Sequence, residues 1–166
     1  MNPLSVSLNL FVLISLFCVK CGVSESIQFY DCWKPRNGNK MCTIHSVQIN
    51  PCHRSTGALT SPCEYVRGKI NATIQFDYTP EFNTTKLIGQ AHKAGLLQDL
   101  PLVGMDTDAC KFTKCPVVAG VRQTYSYPME IKAEYPEGAY TVKWKLWNEN
   151  DPIVQSCCLK FNIVLI

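Results

Sequence analysis

The chain has 166 residues, of which 46% are hydrophobic and 17% charged, with a formal net charge of +3. That length makes one domain with a real core. So small and scattered a charge excludes the basic footprint of a nucleic-acid-binding surface.

In chain order, the first feature is the apolar run "LSVSLNLFVLISLFCV" over 4–19. It is shorter than the ~20 residues a membrane span needs, and the small residues Gly22 and Ser24 follow it. This reads as a secretory signal peptide over 1–24, cleaved after Cys21 or Ser24, although its leading region carries no lysine or arginine. Cleavage removes Cys18, Cys21 and Lys20, and leaves Cys32, Cys42, Cys52, Cys63, Cys110, Cys115, Cys157 and Cys158. An even number of cysteines in a secreted chain predicts disulfides before metal. A zinc site would want paired CxxC motifs or a histidine pair at helical spacing, whereas His45, His53 and His92 are scattered. No metal and no cofactor is expected. In "DACKFTKCPV" (108–117), Cys110 and Cys115 read as a short bridge pinning a turn.

Period-two alternation, the mark of strands with one buried face, runs through the rest. Short candidates come at 27–32 and 43–49. In "KINATIQFDY" (69–78), Ile70, Ala72, Ile74, Phe76 and Tyr78 share a face. Further candidates are 85–93 and 122–131. In "AYTVKWKLW" (139–147), Tyr140, Val142, Trp144 and Leu146 alternate with polar residues, and the C-terminal stretch aligns Leu159, Phe161, Ile163 and Leu165. Turn signals such as "RNGNK", "DLPLVG" and "YPEGAY" separate them, and no helical run is convincing. About seven short strands predict an all-β sandwich of immunoglobulin-like size. Asn71-Ala72-Thr73 and Asn83-Thr84-Thr85 are N-glycosylation acceptors, the first on a polar strand face and the second in a loop.

Nothing assembles an enzyme: GxSxG, HExxH, P-loop and GxGxxG motifs are absent, and paired cysteines offer no nucleophile. Asp106, Asp108, Glu130, Glu134 and Glu137 fall in turns or on polar faces, where solvated charge is the ordinary state. The inward positions are large, including Phe76, Tyr78, Trp144 and Phe161, with Leu100, Leu102 and Val103 in a proline-bearing loop. On side chains alone, a core filled by the protein itself is the expectation.

Taken together, "YDC", "INPC…SPC", "NATI", "DACKFTKCPV", "TYSYPMEIKAEYP" and the final "CLKFNI" occur in an order that resembles the Niemann-Pick type C-2 family of MD-2-related lipid-recognition (ML) proteins. The likeness covers residues 25–166. It implies an immunoglobulin-like sandwich of two antiparallel sheets around an apolar lipid cavity, with Leu102, Ile131 and Tyr135 at its mouth. Leu100, Val103, Phe76 and Trp144 complete the expected lipid-binding set. It also implies bridges Cys110–Cys115, Cys52–Cys63 and Cys32–Cys158, and a glycan on Asn71.

Cys42 and Cys157 lie outside the shared pattern and predict a fourth bridge. Neighbouring strand residues point to opposite faces, which turns Cys157 inward with Leu159 and Phe161. The exchanged arrangement, Cys32–Cys157 with Cys42–Cys158, stays open on sequence. By resemblance the chain is a secreted, extracellular or lysosomal carrier of a sterol, monomeric, delivering to a membrane surface or membrane sterol transporter. The alternatives are a carrier of fatty acids or semiochemicals and a lipid-sensing protein of innate immunity.

Overall fold

The computed structural model describes residues 24–32 and 40–166, so the segment read as a signal peptide lies, Ser24 apart, outside the described residues. Ten strands form among the described residues: β1 (Glu25–Ser26), β2 (Phe29–Asp31), β3 (Cys42–Asn50), β4 (Cys63–Tyr65), β5 (Asn71–Pro80), β6 (Leu87–Lys93), β7 (Leu100–Pro101), β8 (Gln123–Glu130), β9 (Gly138–Asn148) and β10 (Asp151–Leu165). A three-residue 3-10 turn at Ala109–Lys111 is the helical element among them.

The strands make two sheets, one ordered β1-β3-β5-β8 and the other β2-β10-β9-β6-β7. Pairing between these strands is antiparallel, with one exception: β4 runs parallel to the end of β10, Cys63 opposite Ile163. β2 and β4 thus share one flank of β10 end to end, because β2 pairs with Leu159–Phe161 and β4 with Ile163–Leu165. This is the immunoglobulin-like sandwich that the alternation predicts.

Alternation also explains why the sheets face each other as they do. Ala72, Ile74, Phe76 and Tyr78 of β5 are buried, as are Tyr125, Tyr127 and Met129 of β8, while Asn71 and Gln75 are exposed. Val142, Trp144 and Leu146 of β9 and Leu159, Phe161, Ile163 and Leu165 of β10 answer them from the other sheet. Each large aliphatic side chain or phenylalanine among them contributes roughly 1.5–3 kcal/mol by leaving water. Along β10 the alternation breaks at Ser156–Leu159, where four consecutive residues are buried.

A disulfide accounts for the break at Cys158, the outward position that follows buried Ser156 by two residues. Cys158 points out of the sandwich and bonds Cys32 beside it at the end of β2, whose N–H donates to the Cys158 carbonyl at 3.3 Å. Cys157 points inward and crosses the interior to Cys42 on β3 of the opposite sheet. The exchanged pairing is therefore not the one adopted. Cys52–Cys63 and Cys110–Cys115 close the two local loops. The 3-10 turn held by Cys110–Cys115 packs onto β6 at Gly89, where an added Cβ would lie 3.1 Å from Leu146 and Tyr125 side-chain atoms and 3.2 Å from Ala109. That close approach is what the missing side chain permits.

Candidate lipid cavity

One end of the sandwich is hollow. A cavity of about 350 Å³ lies between the sheets there. Its inner walls are Met129 of β8 and Ile131 just beyond that strand, with Val142, Ile163 and Leu165 from the other sheet, all buried. Its rim is Lys93, Leu100, Pro101, Leu102, Val103, Tyr135, Pro136 and Tyr140. Leu100 and Val103 are 56% and 83% exposed, so apolar surface continues from the interior out to solvent. The β6–β7 hairpin carries two more exposed apolar residues, Leu96 and Leu97.

Two loops frame the opening, and backbone hydrogen bonds fix both. The Leu102 N–H donates to the Ala91 carbonyl at 2.9 Å, and Gln90 Nε2 donates to the Leu102 carbonyl at 2.9 Å. On the other side the Gly68 N–H donates to the Ile131 carbonyl at 2.7 Å, while Arg67 Nη1 donates to the Tyr135 carbonyl at 3.0 Å and Arg67 also pairs with Glu137. The Tyr140 hydroxyl donates to the Pro136 carbonyl at 2.6 Å, holding its ring against the rim. The Lys132 side chain of one loop reaches Gly104 of the other, its Nζ 3.5 Å from where a Cβ on Gly104 would sit, which is ordinary contact. Asp99, near the same rim, is held below the usual carboxylate range by its hydrogen bond from Lys143.

Inward along the same strands the sandwich is filled. The next residues are Tyr127 on β8 and Trp144 on β9, with ring centroids 5.4 Å apart. Behind them Phe112 packs on Tyr127 at 4.5 Å and Phe76 stacks on Tyr125 at 5.0 Å. Burial drives the Tyr125 hydroxyl far above the ordinary tyrosine value, so it stays protonated.

Of the residues expected at the lipid site, the structure gathers Leu100, Leu102, Val103, Ile131 and Tyr135 around the cavity. Phe76 and Trp144 do not line it. They face inward as alternation demands, but too far along their strands, and their rings pack into the aromatic block. The sequence-based set omitted Met129, Tyr140, Val142, Ile163 and Leu165, although alternation put the last four on an inward face. It also omitted Lys93. Among the described residues no group of three or more His, Cys, Asp or Glu side chains is placed to hold a metal. Asn71 is exposed at the start of β5 and Asn83 is exposed in the β5–β6 turn, where its Oδ1 accepts from the Ala119 N–H.

The ML-domain profile matches residues 26–165, nearly all of the described chain. The chain belongs to the ML-domain family. It is 34% identical over 139 residues to the MD-2-related lipid-recognition protein of Manduca sexta, covering 84% of this chain and 85% of that one. It is 31% identical over 146 residues to the NPC intracellular cholesterol transporter 2 of Sus scrofa, covering 85% and 86%. Its fold also matches the crystal structure of a Niemann-Pick type C2 protein from Japanese carpenter ant, with a TM-score of 0.67 at 20% identity, covering 84% of this chain and all of that one. In this ML domain, then, the hollow end of the sandwich is the feature to account for.

Proposed function

We propose that this ML domain is a lipid carrier that takes one apolar molecule into the hollow end of the sandwich and acts by burial, without catalysis. The observation that carries the reading is the apolar cavity of about 350 Å³ framed by Leu100–Val103 and Ile131–Pro136. That volume falls within the ~300–1,000 Å³ of ligand pockets. A ligand removing about 400 Å² of apolar surface from water gains roughly 10 kcal/mol gross. Association and ordering take back a large part, which leaves micromolar to submicromolar affinity, roughly −8 kcal/mol or somewhat stronger.

The first reading of the ligand is a sterol, and the name of the porcine relative supports it. A long acyl chain is the second reading, favoured by the positive charge of Lys93 at the rim. Four disulfides suit an oxidising compartment, in keeping with secretion by the leader at 1–24 to the extracellular space or lysosome, and with glycans on Asn71 and Asn83. The exposed Leu96, Leu97, Leu100 and Val103 suit a mouth that meets a membrane surface or a membrane sterol transporter.

Titration of the delipidated protein with a fluorescent sterol, followed by competition with oleate, tests this. Saturable uptake of either ligand, weakened at least tenfold by Ile131→Asp and by Tyr135→Ala, is the expected outcome. Sterol left unbound with oleate bound selects the second reading. Absence of uptake of both would sink the carrier function.

A further inference from the structure

The inward face of β6 reads Leu87, Gly89, Ala91, Lys93. The first three are buried, and the fourth position puts an ammonium where the pattern calls for an apolar side chain. Lys93 stands in register with Val142 of the cavity wall on one side and with Leu100 of the rim on the other. Residues opposite each other in a sheet point to the same face, so Lys93 shares the face of buried Val142. Among the described residues it is the one charged side chain lining the cavity.

We propose that Lys93 reads the head group of the bound lipid and gives the cavity a preference for a chain ending in an ionised carboxylate. The ammonium is held at the rim by an aromatic face, since Nζ lies 4.7 Å from the centroid of the Tyr140 ring, whose hydroxyl is tied to Pro136. It is also unspent, because no carboxylate pairs with it among the described residues. Of the acidic groups on the framing loops, Asp99 is engaged with Lys143 at 2.6 Å and Glu137 with Arg67, while Glu134 is exposed and makes no ion pair among the described residues. Lys132 Nζ, by Gly104 on the facing loops, adds a second cation at the mouth and likewise has no carboxylate partner among the described residues. A fatty acid seated tail-first along Met129, Ile131, Val142, Ile163 and Leu165 would bring its carboxylate to the Lys93 ammonium at the rim. A neutral alcohol or ester would make only a weaker dipolar contact there. Because Lys93 is exposed, the gain is modest and salt-sensitive.

This inference rests on the cavity being a lipid site, and the test separates the two. The delipidated protein is titrated with oleate and with oleyl alcohol, of equal chain length, by native mass spectrometry and tryptophan fluorescence. Wild type should bind oleate about fivefold more tightly than the alcohol. Lys93→Met and Lys93→Gln should each lower oleate affinity about fivefold and leave the alcohol unchanged, while Lys93→Arg keeps the preference. Lys114→Met, which removes an exposed charge elsewhere, should also keep it. Equal affinities in wild type, or a preference that survives both neutral replacements, would overturn the role of Lys93 and leave the cavity reading standing. If oleate, oleyl alcohol and a fluorescent sterol all fail to bind, the cavity reading falls and this inference falls with it.

Discussion

His92 shows how a single side chain beside the rim ties the domain to pH. Its Nδ1 is buried without a hydrogen-bond partner, and its strand position is opposite Pro101 of β7. Desolvation pushes the imidazole below its ordinary 6.5. The charges of Lys143 and Lys145 push the same way, and Asp99 and the Lys143 backbone only partly oppose them. As pH falls through about 6.5 the unfolded chain takes up a proton that the folded chain resists, so stability must fall over that window until the folded group titrates. The melting temperature should therefore be lower at pH 5.5 than at pH 7, and His92→Gln should flatten that segment of the curve. An unchanged slope in the variant would refute the assignment. Asp77 and Asp99 act in the same sense at lower pH: hydrogen bonds from Thr124 and Arg122 and from Lys143 depress their carboxyls, so the stability they contribute is full well above the ordinary aspartate value of about 3.9 and is lost as pH falls through and below it. At this scale the sequence was readable for facing and unreadable for depth. Alternation put Phe76, Trp144, Val142 and Ile163 all inward. Which of them meets a void and which meets another ring depends on position along the sandwich, and that is set by the register between strands remote in sequence.

The strands repeat the same division. Those of seven residues or more carry enough period-two pattern to be located from sequence. β1, β4 and β7, of two or three residues, do not, and exist because a neighbour holds them: β4 lies along β10, reached through the Cys52–Cys63 loop. The vicinal pair Cys157-Cys158 was legible in part, since alternation sent one inward, but only the placement of β3 in the opposite sheet selects Cys42 as its partner. The two terminal bridges are nested. With Cys32–Cys158 formed, Cys42–Cys157 closes only the short ring through residues 32–42 and 157–158, and the converse holds equally. By the loop-entropy model, losing either bridge alone should cost about 3 kcal/mol, the value for a ring of about a dozen residues. Losing both also frees the long loop between the chain's ends and should cost about 7–8 kcal/mol, more than the two single losses combined. Urea denaturation of Cys42→Ala/Cys157→Ala, Cys32→Ala/Cys158→Ala and the quadruple variant measures this. Simple additivity would mean that the bridges act through local strain instead.

Across the whole molecule, one end is packed with Phe76, Phe112, Tyr125, Tyr127 and Trp144, and the other is lined but unfilled. A void forfeits the contacts its lining would otherwise make, so local opening should be easier there. Amide hydrogen exchange should be slowest in the middle of β5, β8, β9 and β10, and fast in 94–105 and 131–137. Oleate or sterol should slow those two segments and leave the aromatic end unchanged. Uniform protection along both ends, or slowing at the aromatic end, would contradict this division. The aromatic block also constrains traffic. A chamber stopped at its inner end by stacked rings has its opening at the other end, so whatever goes in comes out by the same door. Under the proposed carrier function, donor and acceptor would then compete for one face and could not be docked in a relay through the protein. Such a carrier would move cargo as a ferry does, berthing, departing and turning round, its traffic limited by how fast it leaves one shore for the next.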